Sequence, residues 1–477
     1  MGQNSSSYIS SSYSFTKNLL SKKRRREDSE SDLEDEESAL ERSLNTKRRK
    51  KLQSTSDYIY RTMFLEGQNS DVTIVALGRS WKLHRVNLSQ SPYFASMFSG
   101  SWKESTESTI NIEIQDPNIT IVSLTICFGS LYKDEITLDG NEAIGVAAAA
   151  SLFQMEPLLD YCSELLRQNV SVHTAVKFYE TAIEYGMLSV KSTCFDWLSL
   201  NLMHHVHEHP SRLREISVEL MTELVKYNNL YVIQTEFSIY VLLKLWMFLK
   251  LHPAWSGCPK DMITATQEFL ENRNEKASLL ETEIGKPFER AFRVLKADWL
   301  IVHPYDVEML KNDRIIPNSF LNIAFQNQWF RMLRVEQGID SGPTELDEED
   351  FFKNCLRCGR LLQTDSQHMW RWTGYNFGLD LVMSYDKGGI IKIKRNARSD
   401  NSMSLSQQRT RNIMYRIVAT TVNDFQQVMT TQSTGVKLVT LHRSEDVRVM
   451  TLDPDLLVFP VILSVNFLVV SPVATDQ

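Results

Sequence analysis

The sequence predicts three folded regions behind an N-terminal tail: an α/β domain, an all-α region and a mainly antiparallel β domain. Three observations support this fold class. Residues 1–55 consist of serine-rich and like-charge blocks with almost no apolar content. Helical spacing of apolar residues dominates from about 171 to 337, and strand-like alternation dominates from about 350 to 472. The length, 477 residues, suits about three domains.

The overall composition argues against several classes of protein. With 42% hydrophobic and 23% charged residues and a net charge of -7, the chain has no global basic field that would favour nucleic acid as a partner. Its six cysteines are scattered through mostly apolar runs, which indicates reduced, buried thiols. We expect no secretory signal, and we expect the apolar run Leu456 to Val470 to form two buried strands, because it is too short to span a bilayer.

The tail, residues 1–55, is predicted to be disordered because charge blocks without apolar residues cannot offset the entropy lost on folding. Two basic clusters flank an acidic block that holds the candidate phosphorylation sites Ser29 and Ser31. Together the clusters indicate nuclear import, whereas either one alone would suit a solvated charge run. They are Lys22, Lys23, Arg24, Arg25 and Arg26, and Lys47, Arg48, Arg49, Lys50 and Lys51.

The first six residues, MGQNSS, fit the short and permissive pattern for N-myristoylation, with Gly2 as the acceptor. A single acyl chain binds a membrane only marginally, so a second attractive element is needed. The basic cluster at 22–26 supplies one. The tail therefore predicts peripheral membrane contact, the plasma membrane included, alongside nuclear import.

Residues 56–168 are predicted to form the α/β domain. Its first helix places Ile59, Met63 and Phe64 on one face, and two short strands follow as a hairpin around Gly78-Arg79. A second helix is expected from the cap Ser91 to Gly100. The remaining elements are expected as strands at 109–114 and 135–138 and as helices at about 117–132, 141–153 and 156–168.

The stretch SGSWKES, Ser99 to Ser105, joins this second helix to the next strand. It places Trp102 among serine, glycine, lysine and glutamate, without the periodicity of a buried face. Connections of this kind carry binding residues on a rigid scaffold. Either the ring folds back onto Met97 or Phe98, or a partner buries it.

Residues 169–337 and 350–472 are predicted to form the helical region and the β domain. The helical segments are amphipathic or fully apolar and are joined by short loops, which suggests stacked helical hairpins. In the last region, the runs GIIKIK, RIVATTV, GVKLVTL and VRVMTL alternate and are separated by polar turns, as in an antiparallel sheet.

The sequence contains no phosphate-binding glycine loop, nucleophile elbow or His-Glu-x-x-His helix, so we expect a protein without catalytic residues or a cofactor. Two clusters raise the question of a metal. The histidines at 204, 205, 207 and 209 scatter around a helix end, and a solvated helix terminus explains them better. Cys355, Cys358 and His368 have half of a zinc site's spacing but no fourth ligand nearby, which favours structural thiols.

The segment NSDV…WKLHRVNLSQSPYFASMFSGSWKES resembles the BTB fold, and the helix-rich region after it resembles the BACK domain that often follows BTB. The run RCGRLL…WRWTGYNFGLDL, Arg357 to Leu381, is similar to the C-terminal motif of the germ cell-less family. This resemblance implies domains at 56–168 (BTB), 169–337 (BACK-like) and 350–472 (germ cell-less C-terminal domain). It covers most of the chain beyond residue 45.

The resemblance implies a homodimer that binds cullin-3. BTB domains dimerise through their first helix, here Ile59, Met63 and Phe64, and through a charged pocket, here Asp71 and Arg85. Cullin-3 binders carry a hydrophobic-x-Glu tripeptide after the second helix. Trp102, Lys103 and Glu104 match it beside Met97, although Trp replaces the smaller Met or Phe. The helix pair at about 171–206 would supply a second contact surface.

Two functions follow from the resemblance. The first is a non-catalytic substrate adaptor of a cullin-3 ubiquitin ligase in germ-cell development, with a partner surface at Trp370, Arg371, Trp372 and Tyr375 that has interface-like composition. The alternative for those aromatic residues is simple core filling. The second function is a nuclear-envelope scaffold or transcriptional co-regulator. It would contact inner-nuclear-membrane proteins or the dimerisation-partner subunit of cell-cycle transcription factors. Family members localise to the nuclear envelope.

Overall fold

The structure is a computed structural model that describes residues 55–100, 103–204, 206–273, 277–337, 342–343, 346–374, 379–395, 410–442 and 445–471. The chain divides into an N-terminal unit, Met1–Ile59, and a second compact unit, Tyr60–Gln477. Helix α1 (Thr55–Ile59) is the described part of the first unit. Gly2, Ser29, Ser31 and both basic clusters lie outside the described residues.

The second unit begins with an α/β domain. A π-helical turn, Tyr60–Leu65, stands where a regular helix was predicted. The sheet has the order β2-β1-β3, in which β1 pairs antiparallel with β2 and parallel with β3. The strands are β1 (Val72–Ala76), β2 (Arg79–Leu83) and β3 (Thr109–Asn111), and the helices are α2 (Arg85–Leu88), α3 (Pro92–Ser99), α4 (Ile121–Gly129), α5 (Ala143–Leu152) and α6 (Glu156–Gln168).

Local sequence explains most of these elements. Leu77 and Gly78 both have positive φ, 49° and 77°, which is the twist that a two-residue hairpin turn requires. The Ser91 hydroxyl accepts a hydrogen bond from the backbone N–H of Phe94 and caps α3 as predicted. The helix then stops at Gly100, whose φ of -95° is not a left-handed cap.

Two strand predictions in this domain are wrong. Strand β3 ends at Asn111 and not at 114, because its neighbour β1 ends at Ala76 and leaves the later residues without a strand to pair with. Residues 135–138 form no strand, since none of the described strands lies beside them. Alternation alone does not make a strand where no neighbouring backbone is available.

The helical region follows as predicted from about residue 175. Its first helix begins at Ala175, a few residues after the expected start at about 171, and the N–H of Ser171 donates to the hydroxyl of Thr174. The helices are α7 (Ala175–Glu184), α8 (Leu188–Asn201), α9 (Pro210–Glu215), α10 (Val218–Lys226), α11 (Glu236–Leu251), α12 (Pro259–Glu271), α13 (Glu289–Arg293), α14 (Pro304–Asp313) and α15 (Asn318–Glu336).

The C-terminal region consists of a short helix and two antiparallel sheets with one shared core. In the first sheet the order is β10-β8-β12-β4, with β9 also paired to β8, and in the second it is β11-β7-β6-β5. The elements are α16 (Glu348–Asn354), β4 (Leu356–Leu362), β5 (His368–Gly374), β6 (Leu379–Asp386), β7 (Ile390–Arg395), β8 (Thr410–Val422), β9 (Val428–Ser433), β10 (Lys437–His442), β11 (Asp446–Thr451) and β12 (Val461–Val470).

The apolar run near the C-terminus forms one strand instead of the two that were expected. Only β12 is regular, because Pro454–Leu456 is a short 3-10 helix and Pro460 interrupts the run. The strand lies between β8 and β4 at the centre of the first sheet. No helix among the described residues has both the length and the apolar composition needed to cross a bilayer.

A buried ion pair joins the helical region to the first sheet. Arg357 on β4 donates to both carboxylate oxygens of Glu236 on α11, at 2.6 and 3.0 Å, and both side chains are almost fully buried. The third guanidinium nitrogen of Arg357, Nη1, donates to the carbonyl of Val225. The backbone N–H of Lys296 donates to the Glu236 carboxylate. All these groups are therefore hydrogen-bonded, as buried charges must be.

Candidate functional site

The candidate site lies between α3 and β3. One turn of 3-10 helix, Lys103–Ser105, begins three residues after Gly100 ends α3. The Lys103 side chain is 82% exposed and pairs with Glu107 at 3.0 Å. A surface ion pair of this kind adds little stability, so breaking it on binding a partner would cost little.

Arg85, the first residue of α2, holds this loop in place. Its guanidinium donates to the carbonyl oxygens of Ser105 at 2.8 Å and Glu107 at 2.5 Å, and it lies 4.6 Å from the ring centroid of Phe98 on α3. These contacts connect the chain after the tripeptide to the helix before it. Charge-assisted hydrogen bonds are among the stronger ones in proteins, so Arg85 restricts the loop's position.

The tripeptide itself is only partly described. Trp102 lies outside the described residues, Glu104 belongs to the 3-10 turn, and Lys103 is exposed. Met97 is half-buried on α3. The predicted cullin-binding residues therefore lie within eight positions of the sequence around one helix end, and their contact with cullin-3 stays a prediction.

The predicted dimer residues are distributed differently. Ile59 ends α1, and Met63 is half-buried in the π-helical turn. Phe64 is buried, with its ring 5.1 Å from Tyr60 and 5.3 Å from Tyr132. The π-helical spacing differs from the 3.6-residue period assumed, and the Phe64 ring packs inside its own chain, while its place in a dimer interface stays a prediction.

Asp71 and Arg85, the predicted charged pocket, are in contact through the backbone. The backbone N–H of Arg85 donates to the Asp71 carboxylate at 2.8 Å, while its guanidinium donates to the Ser105 carbonyl in the loop. Sequence reasoning missed this second task of Arg85. The only signal for it was a basic residue placed directly after a buried histidine, which gave no indication of a contact 20 residues away.

His84 is a hydrogen-bonded core residue, as predicted. One ring nitrogen, Nε2, donates to the carbonyl of Gln68 at 2.8 Å, and Nδ1 lies 3.1 Å from the Tyr132 hydroxyl. The backbone N–H of His84 also donates to that hydroxyl. Burial raises the pKa of Tyr132 to about 12, so the phenol stays protonated and the network is intact at neutral pH.

Two of the four residues of the predicted substrate surface are buried. Trp370 and Trp372 are 8% and 5% exposed and lie in the core that the two sheets share, so they fill the β domain. Arg371 points the other way and is exposed, because successive strand residues face opposite sides. Tyr375 lies outside the described residues.

The cysteine and histidine clusters show no metal-binding geometry. Cys355 and Cys358 are both buried, and burial raises the pKa of the Cys358 thiol well above its usual range. The His368 ring bonds to the Ser366 hydroxyl at 3.1 Å. Over the described part of the chain, no three metal-ligating side chains come together.

Comparison with known proteins identifies the domain and the family. Residues 60–170 match the model of the BTB/POZ domain. Germ cell-less protein-like 1 of Homo sapiens is 41% identical over 435 residues, covering 91% of this chain and 84% of the relative. The chain belongs to the germ cell-less family. Protein germ cell-less of Drosophila melanogaster is 40% identical over 451 residues, which cover 89% and 79% of the two chains.

A more distant similarity covers a smaller part of this germ cell-less family member. Kelch-like protein 26 of Danio rerio is 30% identical over 129 residues, or 27% of this chain and 21% of the relative. The loop held by Arg85 lies inside the BTB match.

Proposed function

We propose that the protein is a substrate adaptor of a cullin-3 ubiquitin ligase, without catalytic activity of its own. The observation that carries this proposal is the loop after α3. There a Trp-Lys-Glu tripeptide continues into an exposed turn that Arg85 fastens to the BTB domain. A held loop loses little entropy when it binds, so its contacts contribute more fully to affinity.

The composition of the tripeptide suits a protein interface. An aromatic anchor supplies large apolar area, and an adjacent glutamate adds a directed polar contact. Such anchors dominate interface energetics, often with effects of about 2–4 kcal/mol on truncation. Trp102 and Glu104 would bind cullin-3 directly, with Met97 beside them.

The BTB domain of the family is a self-association module, and we propose a homodimer for this chain. Met63 and Ile59 would contribute to that interface, with Asp71 and Arg85 at its edge. Phe64 would support it from within its own chain, since its ring packs on Tyr132. Two adaptors would then present two cullin-binding loops.

Co-elution of the full chain with the N-terminal domain of cullin-3 tests this function. We expect one complex in which both proteins are present in equal amounts. A full chain that remains folded and dimeric but elutes separately from cullin-3 would contradict the ligase function. It would favour the scaffold or co-regulator function, in which the BTB domain only dimerises.

Replacing Arg85 by methionine is expected to weaken cullin-3 binding roughly tenfold, about the effect of one charge-assisted hydrogen bond. The physical reason is that the loop loses its bonds to the Ser105 and Glu107 carbonyls. Isothermal titration with cullin-3 measures the effect. Arg79→Met is the matched control, since Arg79 lies 5.4 Å from the ring centroid of Trp81 on β2 and makes no hydrogen bond to the described residues of the loop. Equal affinities of the two variants would exclude this role of Arg85.

We also propose that the tail directs the protein to the nucleus, the nuclear envelope and membranes through separable signals. Acylation at Gly2 and the cluster Lys22 to Arg26 would attract an anionic membrane, at about 1 kcal/mol per basic residue. The basic clusters would bind import receptors. Phosphates at Ser29 and Ser31 would weaken the membrane attraction.

Replacing Gly2 by alanine is expected to lower the membrane-bound fraction without blocking nuclear entry. The reason is that the variant loses the acyl acceptor but keeps both basic clusters. Cell fractionation and mass spectrometry of the N-terminal peptide measure the two effects. A variant with all ten basic residues replaced by alanine is the converse control, and it should stay outside the nucleus. An unmodified Gly2 in the wild-type protein would contradict the membrane signal.

A further inference from the structure

A cleft with both apolar and charged lining residues lies between the first sheet of the C-terminal region and the helical region. Its volume is about 190 Å³, enough for one side chain of a ligand and too small for a larger compound. One wall is the sheet, with Arg416, Val418 and Thr420 on β8 and Thr431 on β9. The other wall includes Asp196 of α8 and the loop 227–230.

Two arginines stand on this face of the sheet in one row across three strands. Asn466 on β12 is in register with Arg357 on β4 and with Arg416 on β8. Arg357 is neutralised by the two oxygens of Glu236 and is 2% exposed. Arg416 has no such partner, because no carboxylate within the described residues lies at ion-pair distance from it.

Arg416 is nevertheless held firmly. It is half-buried, it donates one bond to the Asn229 side chain at 2.6 Å, and it lies 5.2 Å from the ring centroid of Phe352. Burial lowers its pKa, but a guanidinium keeps its charge at neutral pH. A fixed, partly desolvated cation with unused N–H groups favours an anion that brings its own acceptors.

The opposite wall indicates what else the ligand carries. Asp196 lines the same cleft, and burial raises the pKa of its carboxyl group. A bare anion would be repelled by this residue when it is ionised. A peptide suits both walls, because its acidic side chain pairs with Arg416 while a backbone N–H donates to Asp196.

The edge of the sheet adjoins the cleft. Strand β9 pairs only with β8 among the described strands, and its residue Thr431 is exposed at the cleft's border. An open strand edge binds extended peptides through backbone hydrogen bonds. Backbone pairing along β9 and charge pairing inside the cleft would therefore act on the same ligand.

We propose that this cleft binds an acidic peptide segment of a partner protein, with an Asp or Glu carboxylate of that segment paired to Arg416. This inference rests on the proposed adaptor function in one respect, namely that the partner protein is a substrate of the ligase. It replaces the surface around Trp370 and Trp372 as the recognition site of the C-terminal region.

Selection of a random dodecapeptide phage library against the full chain tests this site. Peptides rich in Asp and Glu are expected to be enriched, and their binding is then measured by fluorescence polarisation. We expect R416Q to weaken binding of these peptides roughly ten- to hundred-fold, the loss of one or two charge-assisted bonds. Replacing the peptide's acidic residues by Gln or Asn should weaken binding to wild type similarly.

Two further variants make the test specific. T431Y keeps Arg416 but places a bulky ring at the cleft's border, so it should block peptide binding. It replaces R416Q as the test of the site if the R416Q protein does not fold. R448Q is the matched control, because Arg448 is exposed on β11 of the other sheet and bonds to Thr451. The expected order is loss of binding in R416Q and T431Y with none in R448Q.

Absence of acidic peptides from the selection, or equal binding of them by wild type, R416Q and T431Y, would overturn the proposal. The separate measurement of cullin-3 binding distinguishes a failure of the adaptor function from a failure of the proposed peptide site. If the protein binds these peptides through Arg416 but does not bind cullin-3, the proposed peptide site stands and only the proposed ligase function is contradicted.

Discussion

Replacing Trp102 by alanine is expected to abolish measurable cullin-3 binding while the unfolding temperature stays within about 1 °C of wild type. The loss of an aromatic interface anchor costs about 2–4 kcal/mol, or roughly 30- to 1,000-fold in affinity. Folding should be insensitive, since Trp102 follows the end of α3 and precedes the turn that Arg85 holds. Isothermal titration and thermal unfolding of the same preparations measure both quantities.

Two variants complete that experiment. Glu104→Lys should also prevent binding, because a lysine opposes the contact that the glutamate makes. Trp329→Ala is the matched control, as Trp329 is an exposed tryptophan on α15, outside the BTB domain. Full affinity of the Trp102→Ala protein, or a large drop in its unfolding temperature, would show that the ring belongs to the fold.

Replacing Glu236 by leucine is expected to destabilise the protein by about 3–5 kcal/mol. The change leaves the buried guanidinium of Arg357 without a counter-charge and removes the acceptor for the Lys296 backbone N–H. Burial already lowers the pKa of the Lys296 side chain, and the loss of the Glu236 charge removes one of the groups that oppose this shift. Denaturant unfolding of the full chain measures the loss.

The control for this prediction is an exposed pair. Arg293→Ala removes the partner of Glu289 on α13 and should change stability by less than about 1 kcal/mol. The double variant Glu236→Leu with Arg357→Met should recover much of the loss, because two apolar side chains leave no unpaired charge. A double variant that is less stable than Glu236→Leu would contradict the pairing argument.

Local features of the fold could be predicted from the sequence. The capped start of α3 at Ser91 and the alternation in β8 depend on neighbouring residues, and each is present. The hairpin between β1 and β2 is also present, but its turn is at Leu77-Gly78, one residue earlier than the Gly78-Arg79 that was predicted. Domain order followed from composition and periodicity. These signals are short in range, so a single sequence contains them completely.

Features that depend on distant contacts could not be predicted. Glu236 and Arg357 meet across 121 residues, and Arg85 reaches a loop 20 residues ahead. Alternation identified Trp370 and Trp372 as one face of a strand, but it does not tell whether that face meets a partner or a second sheet. The burial of Phe64 within its own chain was not foreseen, because a π-helical turn changed the periodicity.

The ion pair between α11 and β4 has a consequence for the range of substrates. Because the two regions share a buried ion pair and a hydrogen bond to the Val225 carbonyl, separating them would expose unpaired charges, and we expect them to move together. Under the two proposals, a peptide bound beside β9 would then be kept at a fixed distance from the loop that binds cullin-3. Under the proposed function, this fixed distance would determine which lysines of the substrate receive ubiquitin. Lysines within that distance would be modified, and lysines elsewhere on the same partner would not.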